Sequence, residues 1–307
     1  MNRRSCFLLI HFLLPLCMFA QSGGARYRDK VFAKVDLKKN VSYGTKDMPQ
    51  GKDRDYLMDI YQPEDDYEKK RPVIIWLHGG GFKLGKKTSR GIPLWCNDFA
   101  KRGYVSIAMN YRKGKGLPKN DFRTLAEGCF VTMEDINQVI SYCKINAAEL
   151  GIDTSKIMLG GNSAGSMAAM QFVYSDENRL AAMGGRSDSA SAKKPYNAYH
   201  VSALINFWGA IFDSTWLKNA KIPIVSVQGE KDKIVPFNFQ GPINGAAVIH
   251  READKLGIPN ALKSYPSLKH ELQNPFHPFL FGAKAKRRWH EAGDFAASFL
   301  WNEKIVQ

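Results

Sequence analysis

Cysteine is scarce in this chain: five residues among 307, of which only Cys96, Cys129 and Cys143 lie beyond the first twenty positions. No CxxC spacing and no Cys/His cluster accompanies them, which argues against a structural zinc site and a disulfide-dense scaffold. Cys129 and Cys143 share one helical pattern, roughly 21 Å apart at the helical rise, too far for a bridge. At most one pair with Cys96 could form, and three buried free thiols are an equal alternative. Past residue 20 no apolar run approaches the ~18 residues that a membrane-spanning helix needs. There is no internal repeat, and the 26 Gly and 14 Pro are scattered rather than clustered in a low-complexity tract. Acidic charge is also short, with 29 Asp+Glu against 44 Lys+Arg, a net +15. The basic residues form only brief clusters, Lys38-Lys39 and Lys286-Arg287-Arg288, with no basic arm, zinc-finger or basic-zipper pattern. They read as a solvated surface, not a nucleic-acid footprint. At 44% hydrophobic and 24% charged, the chain is a folding one rather than a disordered one.

Residues 1–20 read as an export signal. Arg3 and Arg4 precede a mostly apolar stretch from Phe7 to Phe19, and Ala20 offers a small residue for cleavage. The expected location is secreted or periplasmic, with no stable membrane insertion after removal. A lipid anchor at Cys17 is the weaker alternative, because Leu16 is bulkier than the residue expected there. Cleavage takes away two positive charges and leaves about +13 by the same count.

The rest alternates apolar strands with helical patterns. Strands are expected at Arg54–Tyr61, Pro72–Leu77, Tyr104–Asn110, Lys156–Leu159, Val201–Trp208, Ile222–Gln228 and Ala261–Tyr265. A helix is expected from about Leu125 to Leu150, where Cys129, Met133, Ile136, Ile140, Cys143 and Ala147 recur at three- and four-residue spacing and Gly151 supplies a stop. Gly245–Leu256 and Ala285–Phe299 are further helices. This alternation predicts one α/β domain over 21–307, a mainly parallel sheet covered on both faces. The Gly- and Ser-rich stretch 175–200 breaks the rhythm and reads as an insertion, either a surface excursion or a lid.

Two glycine-rich turns carry the chemistry. His78-Gly79-Gly80-Gly81-Phe82 follows an apolar strand. It is not a phosphate-binding loop, since Lys87 stands where Ser or Thr must hold magnesium, and no dinucleotide fingerprint is present. No cofactor is therefore expected. Consecutive glycines do suit an oxyanion hole, where backbone N–H groups approach a substrate closely. The second turn, Gly161-Asn162-Ser163-Ala164-Gly165, has the G-x-S-x-G pattern between a strand and a helix that a nucleophile elbow requires. Together the turns make Ser163 the candidate nucleophile, with the N–H groups of Gly80, Gly81 and Ala164 around the oxyanion.

Serine needs a base and an orienting acid. Asp232, in the turn after the strand ending at Gln228, is the candidate acid, with Glu230 and Asp213 as lesser choices. His270, five residues past the last strand, is the candidate base. His200 and His250 precede that strand, His290 lies in the terminal helical pattern, and His277 between Phe276 and Pro278 is the close rival.

Here the chain resembles the α/β-hydrolase superfamily. More narrowly it is similar to the carboxylesterase and hormone-sensitive-lipase-like branch, including secreted esterases of the feruloyl and acetylxylan esterase type. Asp59-Ile60-Tyr61-Gln62-Pro63, His78 to Phe82, Asn110-Tyr111-Arg112, Gly161 to Gly165 and the contexts of Asp232 and His270 carry the likeness, which spans roughly 54–303. Asn162 replaces the Asp or Glu common in that elbow, and Ser166 replaces a frequent Gly. The resemblance implies an eight-stranded twisted sheet and cofactor-free ester hydrolysis through an acyl-enzyme, on a small-molecule or glycan-linked ester. The alternatives are a serine peptidase of the same fold and a catalytically silent binding protein.

Overall fold

A computed structural model describes residues 24–44, 53–89, 91–114, 121–185, 201–274 and 283–307. The expected export signal, most of the 175–200 excursion, His200 and His277 lie outside them. In chain order the elements are β1 (Val35–Ser42), β2 (Leu57–Pro63), β3 (Arg71–Leu77), α1 (Gly91–Ala100), β4 (Val105–Met109), α2 (Phe122–Ile145), α3 (Ala147–Leu150), β5 (Ile152–Asn162) and α4 (Ala164–Tyr174). Then follow α5 (Glu177–Met183), β6 (Ala203–Phe207), β7 (Ile224–Gly229), β8 (Phe239–Gln240), β9 (Ile243–Asn244), α6 (Ala246–Lys255), β10 (Asn260–Tyr265) and α7 (Ala283–Asn302).

Successive strand residues point to opposite faces, and here both faces are buried. Val73, Ile75 and Leu77 of β3 join the core beneath α2, α4 and α6, while Ile74 and Trp76 join the core beneath α1 and α7. That is why the strand reads as an unbroken apolar run. Each large side chain so buried contributes roughly 1.5–3 kcal/mol. The eight-stranded sheet has the order β1-β2-β4-β3-β5-β6-β7-β10. β1 pairs antiparallel with β2 and β2 antiparallel with β4; from β4 to β10 all neighbours are parallel. The small β8–β9 ribbon stands apart.

Several boundaries differ from the sequence expectation. Arg54–Tyr61 is not one strand: a short 3-10 turn, Asp53–Tyr56, precedes β2. The helix expected through Leu150 breaks at Asn146, whose backbone N–H and side-chain Nδ2 both donate to the Tyr142 carbonyl. Gly151 then ends α3 in a left-handed conformation, φ 60°. Within the 175–200 stretch, α5 is capped by Asp176, which accepts from the Arg179 N–H, and it buries Leu180. Elements that escaped the sequence are the exposed edge strand β1, the buried helix α1, the short helix α5 and the β8–β9 ribbon, among others.

Cys96 lies on one side of the sheet and Cys129 and Cys143 on the other, and all three are buried free thiols. No pair with Cys96 forms. Burial pushes the Cys143 thiol up to about 12, so it stays protonated.

The chain reverses direction across the sheet at β3. β4 lies on one side of it and β5 on the other, and such a switch point opens a crevice at the strands' carboxyl ends. Leu77 pairs with Gly161, so the loop after β3 and the turn after β5 emerge side by side. The ends of β6, β7 and β10 follow in register, Asn162 beside Phe207 and Gly229 beside Tyr265.

Candidate active site

Ser163 sits in the one-residue turn between β5 and α4, with φ 52° and ψ −123°. A Cβ on Gly161 would stand 2.8 Å from the Ser166 nitrogen, and one on Gly165 would run into the Leu77 carbonyl. Glycine is required at both flanks for the helix to start directly behind the serine against β3. Ser163 does not cap α4 with its side chain. Its hydroxyl instead lies 3.0 Å from His270 Nε2, and His270 Nδ1 lies 2.7 Å from Asp232 Oδ2. The other Asp232 oxygen accepts the N–H groups of Ile234 and Val235 at 2.9 and 3.0 Å, so the buried carboxylate is fixed as an acceptor. That arrangement selects the tautomer: Nδ1–H donates to Asp232, which leaves Nε2 to accept from the serine hydroxyl.

Backbone strain gathers here. Of nine non-glycine residues with positive φ among the described residues, five surround this point: Phe82, Ser163, Trp208, Glu271 and Leu272. Such conformations cost of order 1–3 kcal/mol each and persist only where the surroundings over-determine them.

The glycine loop is held from several sides. Tyr111 donates its hydroxyl to the His78 carbonyl at 2.6 Å, and Lys113 Nζ donates to the Gly85 carbonyl at 2.9 Å. The Lys87 N–H reaches Asn110 Oδ1 at 2.7 Å. Lys87 Nζ makes a buried ion pair with Asp59 at 2.6 Å. Gly80 lies at φ 122°, and a Cβ there would strike the Leu84 carbonyl. Among the described residues no acceptor takes the N–H of Gly80, Gly81 or Ala164. These donors border the Ser163 turn, the arrangement that binds a developing oxyanion.

The other candidate acids and bases are engaged elsewhere. Asp213 caps a 3-10 turn through the Thr215 N–H and pairs with Arg179 at 2.7 Å. Glu230 accepts from Ser264 at 2.7 Å. His250 lies 2.6 Å from Asn260 Oδ1, and His290 of α7 lies 2.5 Å from Asp98 Oδ2.

The family model described as BD-FAE matches residues 58–213, just over half of the chain. The chain belongs to the BD-FAE family. Similarity extends to esterase LipQ of Mycobacterium tuberculosis, 28% identical over 272 residues, covering 80% of this chain and 59% of that protein. Gut esterase 1 of Caenorhabditis briggsae is 28% identical over 108 residues, 35% of this chain. This BD-FAE protein spans only 19% of that relative's length. Among solved structures, the propionate-bound esterase Est2 of Thermogutta terrifontis superposes with a TM-score of 0.60 at 22% identity, over 89% of this chain and 95% of that one. The fold is that of the α/β-hydrolases.

Within this family member, the two departures noted in the elbow have structural partners. Asn162 Oδ1 accepts the Gly79 N–H at 3.0 Å and ties the elbow to the glycine loop. Ser166 donates to the Gly161 carbonyl at 2.6 Å and accepts the Phe207 N–H at 3.1 Å. The roles of Asp59, Lys87, Asn110, Tyr111 and Lys113 in holding the loop were not legible in the sequence. Asp59, Asn110 and Tyr111 lay in quoted motifs, but no spacing rule links them to residues 78–87.

Two expected outcomes arise from this scaffold. Lys87→Met leaves the Asp59 carboxylate buried without its counter-charge, and urea denaturation should show a loss of about 3–5 kcal/mol. Adding Asp59→Asn should recover part of it; a destabilisation below ~1 kcal/mol would show that the pair is not a clasp. His78 is fully buried, stacked on Tyr111 with ring centroids 4.2 Å apart. Burial lowers its pKa from 6.5 to about 4, opposed by its bond to the Gly79 carbonyl. The unfolded chain therefore binds this proton more readily. Its contribution is fully present above about pH 6.5 and is lost as pH falls toward 4, by about 3 kcal/mol. Denaturation midpoints at pH 7 and 4.5 should differ less in His78→Asn than in the parent; an equal difference would show that His78 does not drive the acid sensitivity.

Proposed function

We propose that this protein hydrolyses carboxylic esters through an acyl-enzyme on Ser163, with His270 as general base and Asp232 as its orienting acid. The observation that carries the reading is the hydrogen-bonded series Ser163–His270–Asp232 at the carboxyl edge of the sheet. The esterase names of its relatives support it.

The Ser163 oxygen attacks the ester carbonyl carbon as its proton passes to His270 Nε2. The carbonyl π pair moves to the oxygen, and the N–H groups of Gly80, Gly81 and Ala164 receive that charge. Collapse reforms the carbonyl and breaks the bond to the alkoxide, which leaves with the proton from Nε2. Water then attacks the acyl-enzyme by the same route in reverse, releasing the acid and restoring the serine. Asp232 holds the imidazole in its tautomer and stabilises the imidazolium without itself taking the proton.

The finer reading is an exported single domain over 21–307, with residues 1–20 removed and the substrate a small or glycan-linked ester. The decisive assay is pre-steady-state mixing with 4-nitrophenyl acetate, followed by a panel of acetylated and feruloylated glycans. A burst of nitrophenol close to one equivalent of protein, then steady turnover, is expected. Absence of hydrolysis across the panel would overturn the proposal in favour of a silent binding protein.

The oxyanion assignment has its own test. Gly80→Ala should lower kcat about 10²–10³-fold with little change in KM, because a misaimed donor is lost mainly in the transition state. A variant with unchanged kcat would return the triple glycine to the status of a turn.

A further inference from the structure

The turn that carries two of the candidate oxyanion donors is anchored by one buried side chain. The Gly80 carbonyl accepts the N–H groups of Lys83 and Leu84 at 3.1 and 2.9 Å, which folds the segment back on itself. Gly80 and Gly81 have no side chains, Lys83 is half-buried and Leu84 is exposed, whereas Phe82 is buried at 1% exposure. Its ring lies 6.1 Å from that of Tyr111 between centroids, and its carbonyl accepts the Gly114 N–H at 3.0 Å.

The seat of this ring is a glycine inside a helix. Gly128 is the seventh of the 24 residues of α2, a place where glycine is the poorest helix former after proline. A Cβ on Gly128 would stand 2.4 Å from Phe82 Cγ and 2.6 Å from Phe82 Cβ. Carbon atoms in contact keep roughly 3.5–4.0 Å. Rotating the phenyl group moves Cγ but not Cβ, so no rotamer of Phe82 clears a methyl group at position 128. The backbone at Phe82 or the helix must then move by about 1 Å. The loop has room to give, because a cavity of about 380 Å³ bordered by Phe82, Gly128 and Val131 adjoins the contact. α2 also packs against α4, which starts at Ala164, the third donor. One helix therefore sets the glycine loop and the elbow against each other.

Resting on the ester-hydrolase reading above, we infer that Phe82 and Gly128 are positioning residues of the oxyanion hole: the phenyl ring, seated on the bare backbone of α2, sets where the Gly80 and Gly81 N–H groups point. They act through those donors and do not handle the reacting atoms. The glycine in the middle of α2 gives up helix stability for this close approach.

Two measurements test this. In the first, kcat and KM on 4-nitrophenyl acetate are compared for the parent, Gly128→Ala, Phe82→Gly and the double variant. Gly128→Ala should lower kcat about 10²-fold with KM little changed, the size of a 1 Å misplacement. Its melting temperature should stay near that of the parent, since alanine is the better helix former. Phe82→Gly frees the turn from its anchor and should lower kcat about ten-fold, again with little change in KM. In the double variant the methyl group has nothing to strike, so kcat should equal that of Phe82→Gly alone. Unchanged kcat in either single variant, a change in KM alone, or the same proportionate loss from Gly128→Ala in both backgrounds would overturn the inference.

The second measurement does not depend on turnover. The protein is labelled with ¹⁵N-glycine, and the Gly80 and Gly81 amide signals are assigned by their loss in Gly80→Ala and Gly81→Ala. Both signals should shift in Gly128→Ala, while that of Gly257, which precedes β10 at the opposite edge of the sheet, stays in place. Unmoved Gly80 and Gly81 signals would overturn the inference even where kcat falls. Failure of the parent to hydrolyse any ester would overturn the ester-hydrolase reading, and the amide signals would then decide the placement of the donors on their own.

Discussion

Ser163→Ala is expected to lower kcat by on the order of 10⁶ while leaving the fold nearly unchanged. The size follows from the loss of the attacking atom: what remains is binding and backbone donors acting on a substrate that only water can attack. The mild structural effect follows from the geometry. The Ser163 side chain does not cap α4, and its backbone N–H and carbonyl, which bond Phe207 and Met167, survive the substitution. A matching melting temperature beside a lost burst is the expected outcome. Near-parental activity in a folded Ser163→Ala protein would remove the nucleophile assignment.

His270→Ala is expected to be about as severe, since a serine hydroxyl is a poor nucleophile without an acceptor for its proton, and residues that act as one unit lose activity together. Asp232→Asn should cost about 10⁴, because an amide in place of the carboxylate favours the wrong tautomer while keeping the shape. The comparison that decides the base is His277→Ala, expected to stay active on 4-nitrophenyl acetate while His270→Ala does not. An inactive His277 variant beside an active His270 variant would reverse the assignment without touching Ser163 or the fold.

The parallel strands were legible because burial on both faces leaves no polar residue to interrupt them, as in Ile74, Ile75 and Trp76. β1 was not, because an edge strand with Lys38, Lys39 and Asn40 facing solvent carries little apolar alternation. α1 hides a helical spacing of its own, Ile92, Trp95, Cys96 and Phe99, behind Gly91 and Pro93, which read as loop residues. The break at Asn146 was invisible because the apolar spacing continues across it.

The nucleophile and the glycine loop could be found locally, since each needs its special residues next to one another. Chain order then pointed to the acid and the base. The supports could not be found that way. Lys87 meets Asp59 across 28 positions, and Lys113 meets Gly85 across 28 more. Phe82 meets Gly128 from a separate segment. Residues of this kind become neighbours only through the sheet order.

The most direct test of the account is to treat the protein with a fluorophosphonate ester and map the adduct by peptide mass spectrometry. A single adduct on Ser163, absent when Asp232→Asn or His270→Ala is treated for the same time, is the expected result. An adduct on another residue, or none on Ser163 in the parent protein, would contradict it.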